Sequence, residues 1–230
     1  MSLQLYVLRI NEGREPSPFV WRARLALRHK GLDYERVPIG YGEKDRLGPS
    51  GQGLVPVLVD AGRWIHDSWA IACHLEDAWP DRPSLFGGEA GRGAALFVNR
   101  WADVEMLGAL RLLLWPPTWD HIPIADQPYF KADRETKASM TLDAMREDAD
   151  GKIARFRRTM EPARQTIQRQ RFLGGERPGY ADFAVLGGFL WARSISELRL
   201  IERDDPLHRW RADVLASVGD FPLGEPGHAL

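Results

Sequence analysis

Three short segments in the first third of the sequence carry residues that could hold a small anionic ligand. The first is Ser17-Pro18, a pair typical of a helix start, with serine at the N-cap and proline at the first helical position. Unpaired N–H groups and the positive end of the helix dipole favour an anion there. A thiolate is such an anion, and a helix N-terminus lowers a thiol pKa from about 8.5. Ser17 would then orient a nucleophile supplied by a ligand; the alternative is an ordinary helix cap.

The second segment, Val55-Pro56, places a proline in an apolar run that otherwise predicts a buried strand. Proline removes one donor from a strand ladder, and a cis peptide bond would reconcile it with its apolar neighbours Leu54 and Val57. A cis bond would also leave the N–H and C=O groups of Val55 free to pair with a peptide ligand.

The third segment, Asp67-Ser68, is an ordinary choice for a helix N-cap. It could also be a second anion site, where the Ser68 hydroxyl and the first N–H groups of the helix bind a carboxylate. Asp67 would then bind an ammonium group. A ligand that ends in an α-amino acid satisfies both residues.

These segments require a fold that brings helix starts and a strand end together. Residues 1–84 predict the order β-α-β, then a loop or helix, then β-β-α, which implies a parallel strand pair with a right-handed crossover inside a mixed sheet. The predicted elements are strands near 3–7, 33–38, 55–59 and 63–65, helices at 17–31 and 67–80, and a loop at 46–53.

Residues 85–91 are rich in glycine and predict a linker, and the signals beyond it, over residues 92–230, are helical. Trp115-Pro116-Pro117 is expected to end the first long helix. The other helical predictions are one amphipathic stripe from Ala138 to Met160, a buried helix at 180–193 and a last helix around Trp210, followed by an irregular tail. The predicted fold class is an α/β domain with a mixed sheet followed by an all-α domain.

Charge and composition restrict the kinds of partner. The 230 residues include 31 basic and 32 acidic side chains, so the net charge of −1 gives no electrostatic preference for nucleic acid. The basic stretch from Lys152 to Arg171 is interpreted as a solvated helix surface. Cys73 is the only cysteine, and the six histidines lack metal-ligand spacing. No apolar run reaches the ~20 residues of a membrane span, so a cytoplasmic protein without metal or membrane partner is expected.

The three segments, with their surroundings, resemble the N-terminal thioredoxin-like domain of cytosolic glutathione transferases. The second half is similar to the all-helical domain of that family, with Gly179 at the cap position of its folding motif, where a side-chain bond to Asp182 is lost. Within the family, the run from Ser17 is most similar to bacterial lignin β-aryl etherases and serine-type fungal transferases. The matching pieces are Ser17–Leu27, Lys30–Leu32, Val55–Asp60, Asp67–Ile71 and Phe172–Phe183.

The resemblance implies that glutathione is the co-substrate and that Ser17 stabilises its thiolate. It also implies that Val55, before the cis proline Pro56, pairs with the cysteinyl backbone, and that Asp67 and Ser68 bind the γ-glutamyl end. For the glycyl carboxylate the candidates are Lys44, Arg46 and Gln52, with a solvated loop residue as the alternative for each.

The resemblance places an electrophile pocket between the first domain and the first helices of the second. The candidate lining residues are Phe19, Trp101, Glu105, Trp115 and Trp119, with Tyr129 nearby, and ordinary packing is the alternative. A homodimeric enzyme that attacks an electrophilic carbon is implied, by general conjugation or by cleavage of β-aryl ethers. A non-catalytic binder of glutathione or aromatic ligands and a glutathione-dependent isomerase stay open.

Overall fold

One mixed sheet organises the first third of the chain in the computed structural model, which describes residues 3–230. Its strands are β1 (Leu3–Leu8), β2 (Tyr34–Ile39), β3 (Val57–Asp60) and β4 (Arg63–His66), in the spatial order β2-β1-β3-β4. β1 is parallel to β2 and antiparallel to β3. The mixed sheet is therefore confirmed, while residues 1 and 2 of the predicted first domain lie outside the described part of the chain.

Two helices cover the sheet, α1 (Pro18–His29) and α2 (Ser68–Ala78). Along β1 the side chains of Leu3, Leu5 and Val7 are buried and their neighbours are half-buried, so the strand presents one apolar face to these helices. α1 is buried without interruption from Val20 to Leu27 because it also has a neighbour on its other side, in the helical domain.

Eight α-helices and the loops between them make up the chain beyond residue 88. A π-helical turn at Ala102–Met106 joins the first two helices, and the first turn of α3 contains Glu89 to Gly91, which were expected to be linker. The helices are α3 (Glu89–Trp101), α4 (Leu107–Asp120), α5 (Gln127–Ala138), α6 (Leu142–Arg146), α7 (Ala149–Thr159), α8 (Glu161–Ile167), α9 (Tyr180–Ile195) and α10 (Leu207–Ser217).

The prediction that Trp115-Pro116-Pro117 ends a helix is wrong. α4 continues to Asp120, with both prolines inside its last two turns. Trp115 and Pro116 are buried there, and the Thr118 hydroxyl donates to the Leu114 carbonyl at 2.6 Å. Burial against neighbouring helices therefore outweighs the backbone hydrogen bonds that the prolines remove.

The single stripe expected from Ala138 to Met160 is also wrong, because the segment is divided among three helices. α5 ends where Ser139 adopts a left-handed conformation (φ +52°), and α7 begins after Asp148, which is left-handed as well (φ +48°). The Thr141 hydroxyl accepts from the Ala144 N–H and the Asp148 carboxylate from the Gly151 N–H, so two N-caps interrupt the apolar periodicity.

α9 is the centre of the helical domain, and all of its residues are buried. A Cβ atom at Gly187 would lie 2.6 Å from the carbonyl oxygen of Pro18, so glycine is what allows α9 to touch the start of α1. Arg22 of α1 donates from Nε to the Ala184 carbonyl at 2.9 Å and from Nη1 to Asp103 at 2.5 Å. The first turn of α1 is thereby fixed to the second domain.

None of the helices within residues 3–230 has the length and apolarity to cross a bilayer.

The start of α9 keeps part of the expected folding motif. Gly179 offers no side chain to the Asp182 N–H, as expected, but the buried Asp182 carboxylate accepts from the Gly179 N–H at 3.1 Å. It also accepts from the Leu173 N–H and from Nε1 of Trp210, each at 2.8 Å. Asp182 therefore ties a loop, a helix start and α10 together.

The segment after α10 returns to the first domain. A short 3-10 turn at Phe221–Gly224 leads to Glu225, whose carboxylate accepts from Arg24 at 2.5 Å and from Arg36 at 2.9 Å. The buried Glu15 carboxylate accepts from Arg24 at 2.6 Å. We call these four residues, Glu15, Arg24, Arg36 and Glu225, the clasp, because they join the two ends of the described chain.

Candidate functional site

A cleft of about 760 Å³ opens between the sheet domain and the helical domain. Its first-domain wall includes Ser17, Phe19, Lys44 and Val55. Its helical wall includes Arg111, Leu112 and Trp115 of α4, Arg134 of α5 and Arg155 of α7. The cleft thus combines a helix start and a strand end from one domain with apolar and cationic side chains from the other.

Ser17 is the N-cap of α1 and one of the residues that line the cleft. Its Oγ accepts from the Val20 N–H at 3.3 Å, a long capping bond that uses only a lone pair. The hydroxyl hydrogen has no acceptor among residues 3–230, so it can be donated to a ligand. Capping and ligand binding are therefore compatible at this residue.

The Val55–Pro56 bond is cis, as predicted. The strand that was expected from residue 55 begins at Val57, so Val55 and buried Pro56 form its approach. Within the described chain, no backbone hydrogen bond uses the N–H or C=O of Val55, and Val55 lines the cleft. An extended peptide-like ligand could use both groups.

Asp67 and Ser68 form the start of α2 and do not line the cleft. Asp67 Oδ1 accepts from the Trp69 N–H at 2.9 Å and the Ala70 N–H at 3.1 Å, while Oδ2 takes no hydrogen bond from residues 3–230. Asp67 has φ +72°, a strained conformation for a non-glycine residue, of the kind that clusters at functional sites. Ser68 is 2% exposed.

The three loop candidates differ in what their side chains do. Lys44 lines the cleft, and its Nζ donates to the Tyr129 hydroxyl. Arg46 pairs with Glu43 at 2.9 Å outside the cleft. The Gln52 amide is engaged within its own turn, accepting from the Leu54 N–H at 2.5 Å and donating to the Leu54 carbonyl at 2.8 Å.

Only some of the candidates for the electrophile pocket line the cleft. Phe19 and Trp115 line the cleft, whereas Trp101, Glu105 and Trp119 do not. Trp119 packs on Phe130, with ring centroids 6.5 Å apart. The π-helical turn alters the helical phase around Glu105, which sequence periodicity does not reveal.

Several lining residues escaped the sequence reasoning. Gly108, Arg111 and Leu112 share one face of α4 with the predicted Trp115 at the i, i+3, i+4, i+7 spacing, a signal that could have identified that wall. Tyr41, Trp191, Arg134, Lys137 and Arg155 come from distant segments without a local motif.

Ionisable groups around the cleft are affected by burial. Burial lowers the pKa of the Arg111 guanidinium and raises the pKa of the Tyr41 phenol. Cys73 does not line the cleft, and burial raises the pKa of its thiol, which makes it a poor nucleophile. Among residues 3–230 no group of three or more histidine, cysteine, aspartate or glutamate side chains is placed to hold a metal ion.

Comparison with known protein families identifies the class to which this fold and cleft belong. Residues 16–78 match the model of the glutathione S-transferase N-terminal domain, and residues 94–213 match that of the C-terminal domain. The chain therefore belongs to the glutathione S-transferase superfamily, and the predicted fold class is confirmed.

Sequence relatives are distant or match in part. A probable glutathione S-transferase of Oryza sativa subsp. japonica is 29% identical over 208 residues, covering 84% of this chain and 78% of the relative. A zeta-class glutathione S-transferase of Euphorbia esula is 41% identical over 70 residues, or 28% of this chain and 31% of the relative. The match to the zeta-class protein thus spans about a third of that protein's length.

Solved glutathione transferase structures superpose on this protein over nearly its whole length. A glutathione S-transferase of Ceriporiopsis subvermispora in complex with glutathione superposes with a TM-score of 0.82 at 20% identity, covering 96% of this chain and 97% of that one. The transferase GSTFuA2 of Phanerochaete chrysosporium gives 0.83 at 22% identity, with 94% and 98% covered. At these identities the agreement is one of fold.

Proposed function

We propose that this protein is a glutathione transferase in which Ser17 stabilises the thiolate of bound glutathione. One observation carries the proposal: the donor-competent hydroxyl of Ser17 and the unpaired backbone of Val55 line the same cleft. The start of α1 adds the helix dipole and the N–H group of Phe19, because Pro18 has no N–H and those of Val20 and Trp21 already bond to Ser17. A sulfur anion and a peptide backbone are the two features of glutathione that this wall would hold.

In the proposed reaction the glutathione thiol loses its proton to solvent, and its sulfur attacks an electrophilic carbon of a second substrate. A new carbon–sulfur bond forms, and the leaving group departs with the electron pair of its former bond. In the β-aryl etherase variant the carbon lies beside a ketone, and a phenolate leaves. Phe19, Leu112 and Trp115 provide the apolar surface that an aryl group of this substrate requires.

For glutathione itself, Val55 beside Pro56 would pair with the cysteinyl backbone, and Asp67 and Ser68 would bind the γ-glutamyl end. The free Oδ2 of Asp67 supports a role toward an ammonium group. Lys44 is favoured for the glycyl carboxylate because it lines the cleft, whereas the Gln52 amide already has partners. A cytoplasmic location is part of the proposal.

The decisive experiment offers glutathione with a panel of simple aryl halides and β-aryl ether ketones. Thioether adducts are detected by mass spectrometry and released phenolate by absorbance, against reactions without protein. Adducts with aryl halides alone favour general conjugation, and phenolate release favours the etherase. Glutathione binding without any adduct would favour the alternative of a non-catalytic ligand carrier.

Ser68→Ala is expected to weaken glutathione binding roughly tenfold or more, because it removes a hydrogen bond to a carboxylate worth about 1.5–3 kcal/mol. Isothermal titration calorimetry measures the change. The matched control is Ser217→Ala, on the exposed end of α10. An affinity equal to that of the wild type would contradict the assignment of Ser68.

We also propose a homodimer. Phe97 on α3 and Val104 in the following π-helical turn are 75% and 66% exposed, an apolar surface that a second subunit would cover. Sedimentation at micromolar concentration should give a mass near two chains, and Phe97→Glu should shift it toward one. Ile124→Glu, at a residue 84% exposed elsewhere, is the control. A wild-type mass near one chain would refute the proposal.

A further inference from the structure

The helical wall of the cleft carries a concentration of positive charge that the proposed glutathione site does not use. Four basic residues line the cleft from the helical domain, Arg111, Arg134, Lys137 and Arg155, and Lys44 lines it from the first domain. Among the described residues, no aspartate or glutamate lines it. The chain as a whole has nearly equal numbers of basic and acidic residues, so this imbalance is local.

Neighbouring carboxylates do not neutralise this charge. Asp133 pairs with both Arg134 and Lys137, so one carboxylate serves two cations. Within residues 3–230, Arg111 and Arg155 form no salt bridge and no side-chain hydrogen bond, and the charge of Asp103 acts on Arg111 without such a contact. Arg111 is half-buried, and a guanidinium removed from water without a partner is costly.

Glutathione does not account for these cations. In the proposed mode its carboxylates are bound by Lys44 and by the start of α2, both in the first domain. Arg111, Arg134 and Arg155 belong to three helices of the second domain, on the helical wall of the cleft. Arg134 lies over the Trp115 ring at 5.3 Å from its centroid, so positive charge and aromatic surface are adjacent.

We propose that the second substrate is an aromatic electrophile that carries an anionic group, a carboxylate or sulfonate, bound by Arg111 with Arg134 and Arg155 nearby. The aromatic part packs on Leu112 and Trp115, and the anion supplies the partner that the guanidinium of Arg111 lacks. The inference rests on the proposed transferase function, whose substrate class it narrows from aryl compounds in general to anionic ones.

The test compares a chlorodinitrobenzoate anion with its neutral methyl ester as substrates for glutathione transfer. Each kcat/KM is divided by the uncatalysed rate constant of the same compound, which removes the difference in intrinsic reactivity. The normalised value for the anion should exceed that for the ester at least about tenfold, the effect of one charge-assisted hydrogen bond. Arg111→Gln should reduce this ratio by a similar factor, whereas Arg158→Gln, exposed on α7 outside the cleft, should not.

A second measurement separates failure of the inference from failure of the proposed function. Anilinonaphthalene sulfonate and neutral phenylnaphthylamine share their aromatic skeleton, and their fluorescence reports binding without glutathione. One outcome is that neither substrate is turned over but the sulfonate binds about tenfold more tightly than the neutral amine, and Arg111→Gln abolishes this preference. That outcome would support the anion site and refute the transferase function. If the ester is turned over as well as the anion, the transferase stands and the anion inference is overturned. No turnover with equal dye binding overturns both.

Discussion

Ser17→Ala is expected to slow glutathione transfer roughly 10–100-fold near neutral pH while changing glutathione affinity far less. A hydrogen bond to a charged group is worth about 1.5–3 kcal/mol, which corresponds to about one to two pKa units of the bound thiol. The variant keeps the dipole of α1 but loses the hydroxyl donor, so the thiol pKa rises and less thiolate is present. Rates of the two proteins should converge as pH rises above both thiol pKa values. Thiolate absorbance of bound glutathione, titrated against pH, measures the change.

The loss of a helix cap must be separated from the loss of a donor, because Ser17 also caps α1 through Val20. Aspartate is as good an N-cap as serine, but its carboxylate cannot donate a hydrogen bond and repels a thiolate. Ser17→Asp should therefore preserve stability and slow transfer more than alanine does. If the titration curves and the rates of the wild type and Ser17→Ala were the same, Ser17 would act only as a helix cap.

Two arginines close to Ser17 in sequence are the other conceivable partners of the thiolate, and both donate to groups outside the cleft. Arg14 donates to Glu12 at 2.7 Å and to the Ser194 carbonyl at 2.7 Å. Arg22 is fully buried, and its Nε and Nη1 donate to α9 and to Asp103, whereas its Nη2 has no partner among residues 3–230. Neither lines the cleft, which makes the hydroxyl of Ser17 the side-chain donor best placed to act.

Asp182→Ala is expected to lower the free energy of unfolding by about 3–5 kcal/mol. The substitution leaves three donors without an acceptor, the half-buried N–H groups of Leu173 and Gly179 and the buried Nε1 of Trp210, and each buried unpaired donor costs about 1–3 kcal/mol. Burial raises the pKa of the Asp182 carboxyl, so these donors also offset part of the cost of its charge. Urea unfolding monitored by tryptophan fluorescence gives the free energy.

Two variants calibrate that result. Trp210→Phe removes one of the three donors and should cost clearly less than Asp182→Ala. Asp213→Ala removes a surface salt bridge to Arg171 and should change stability by no more than about 1 kcal/mol. If Asp182→Ala were no more destabilising than Asp213→Ala, Asp182 would not hold the start of α9.

The sequence predicted the first-domain wall of the cleft better than the helical wall. The reason is that the residues of the first wall are marked by local sequence signals, whereas the helical wall depends on residues far apart in the sequence. Ser17-Pro18 and Val55-Pro56 can each be recognised from two adjacent residues. Because β3 is antiparallel to β1, the start of β3 lies at the end of β1, from which the chain leads to α1. The start of α2 could be predicted in the same way from Asp67-Ser68. Each of these depends on local backbone chemistry.

The helical wall depends on packing between elements distant in sequence. Arg111, Arg134 and Arg155 lie on separate helices, and the turns at Ser139 and Asp148 decide which helix faces reach the cleft. A continuous helix from Ala138 to Met160 would have presented a different set of side chains. The same dependence on burial explains why the prolines of α4 failed to end that helix.

The clasp has a consequence for how the protein is made. Arg24 and its partner Glu225 are 201 residues apart in the chain. At about 5–20 residues per second, roughly 10–40 s of translation separate them. Until then the buried guanidinium of Arg24 has Glu15 but lacks its second carboxylate, and α1 has no helical domain against its outer face. The helix that presents Ser17 is therefore completed late, and a ribosome-bound N-terminal fragment should be a target for chaperones rather than an early glutathione binder.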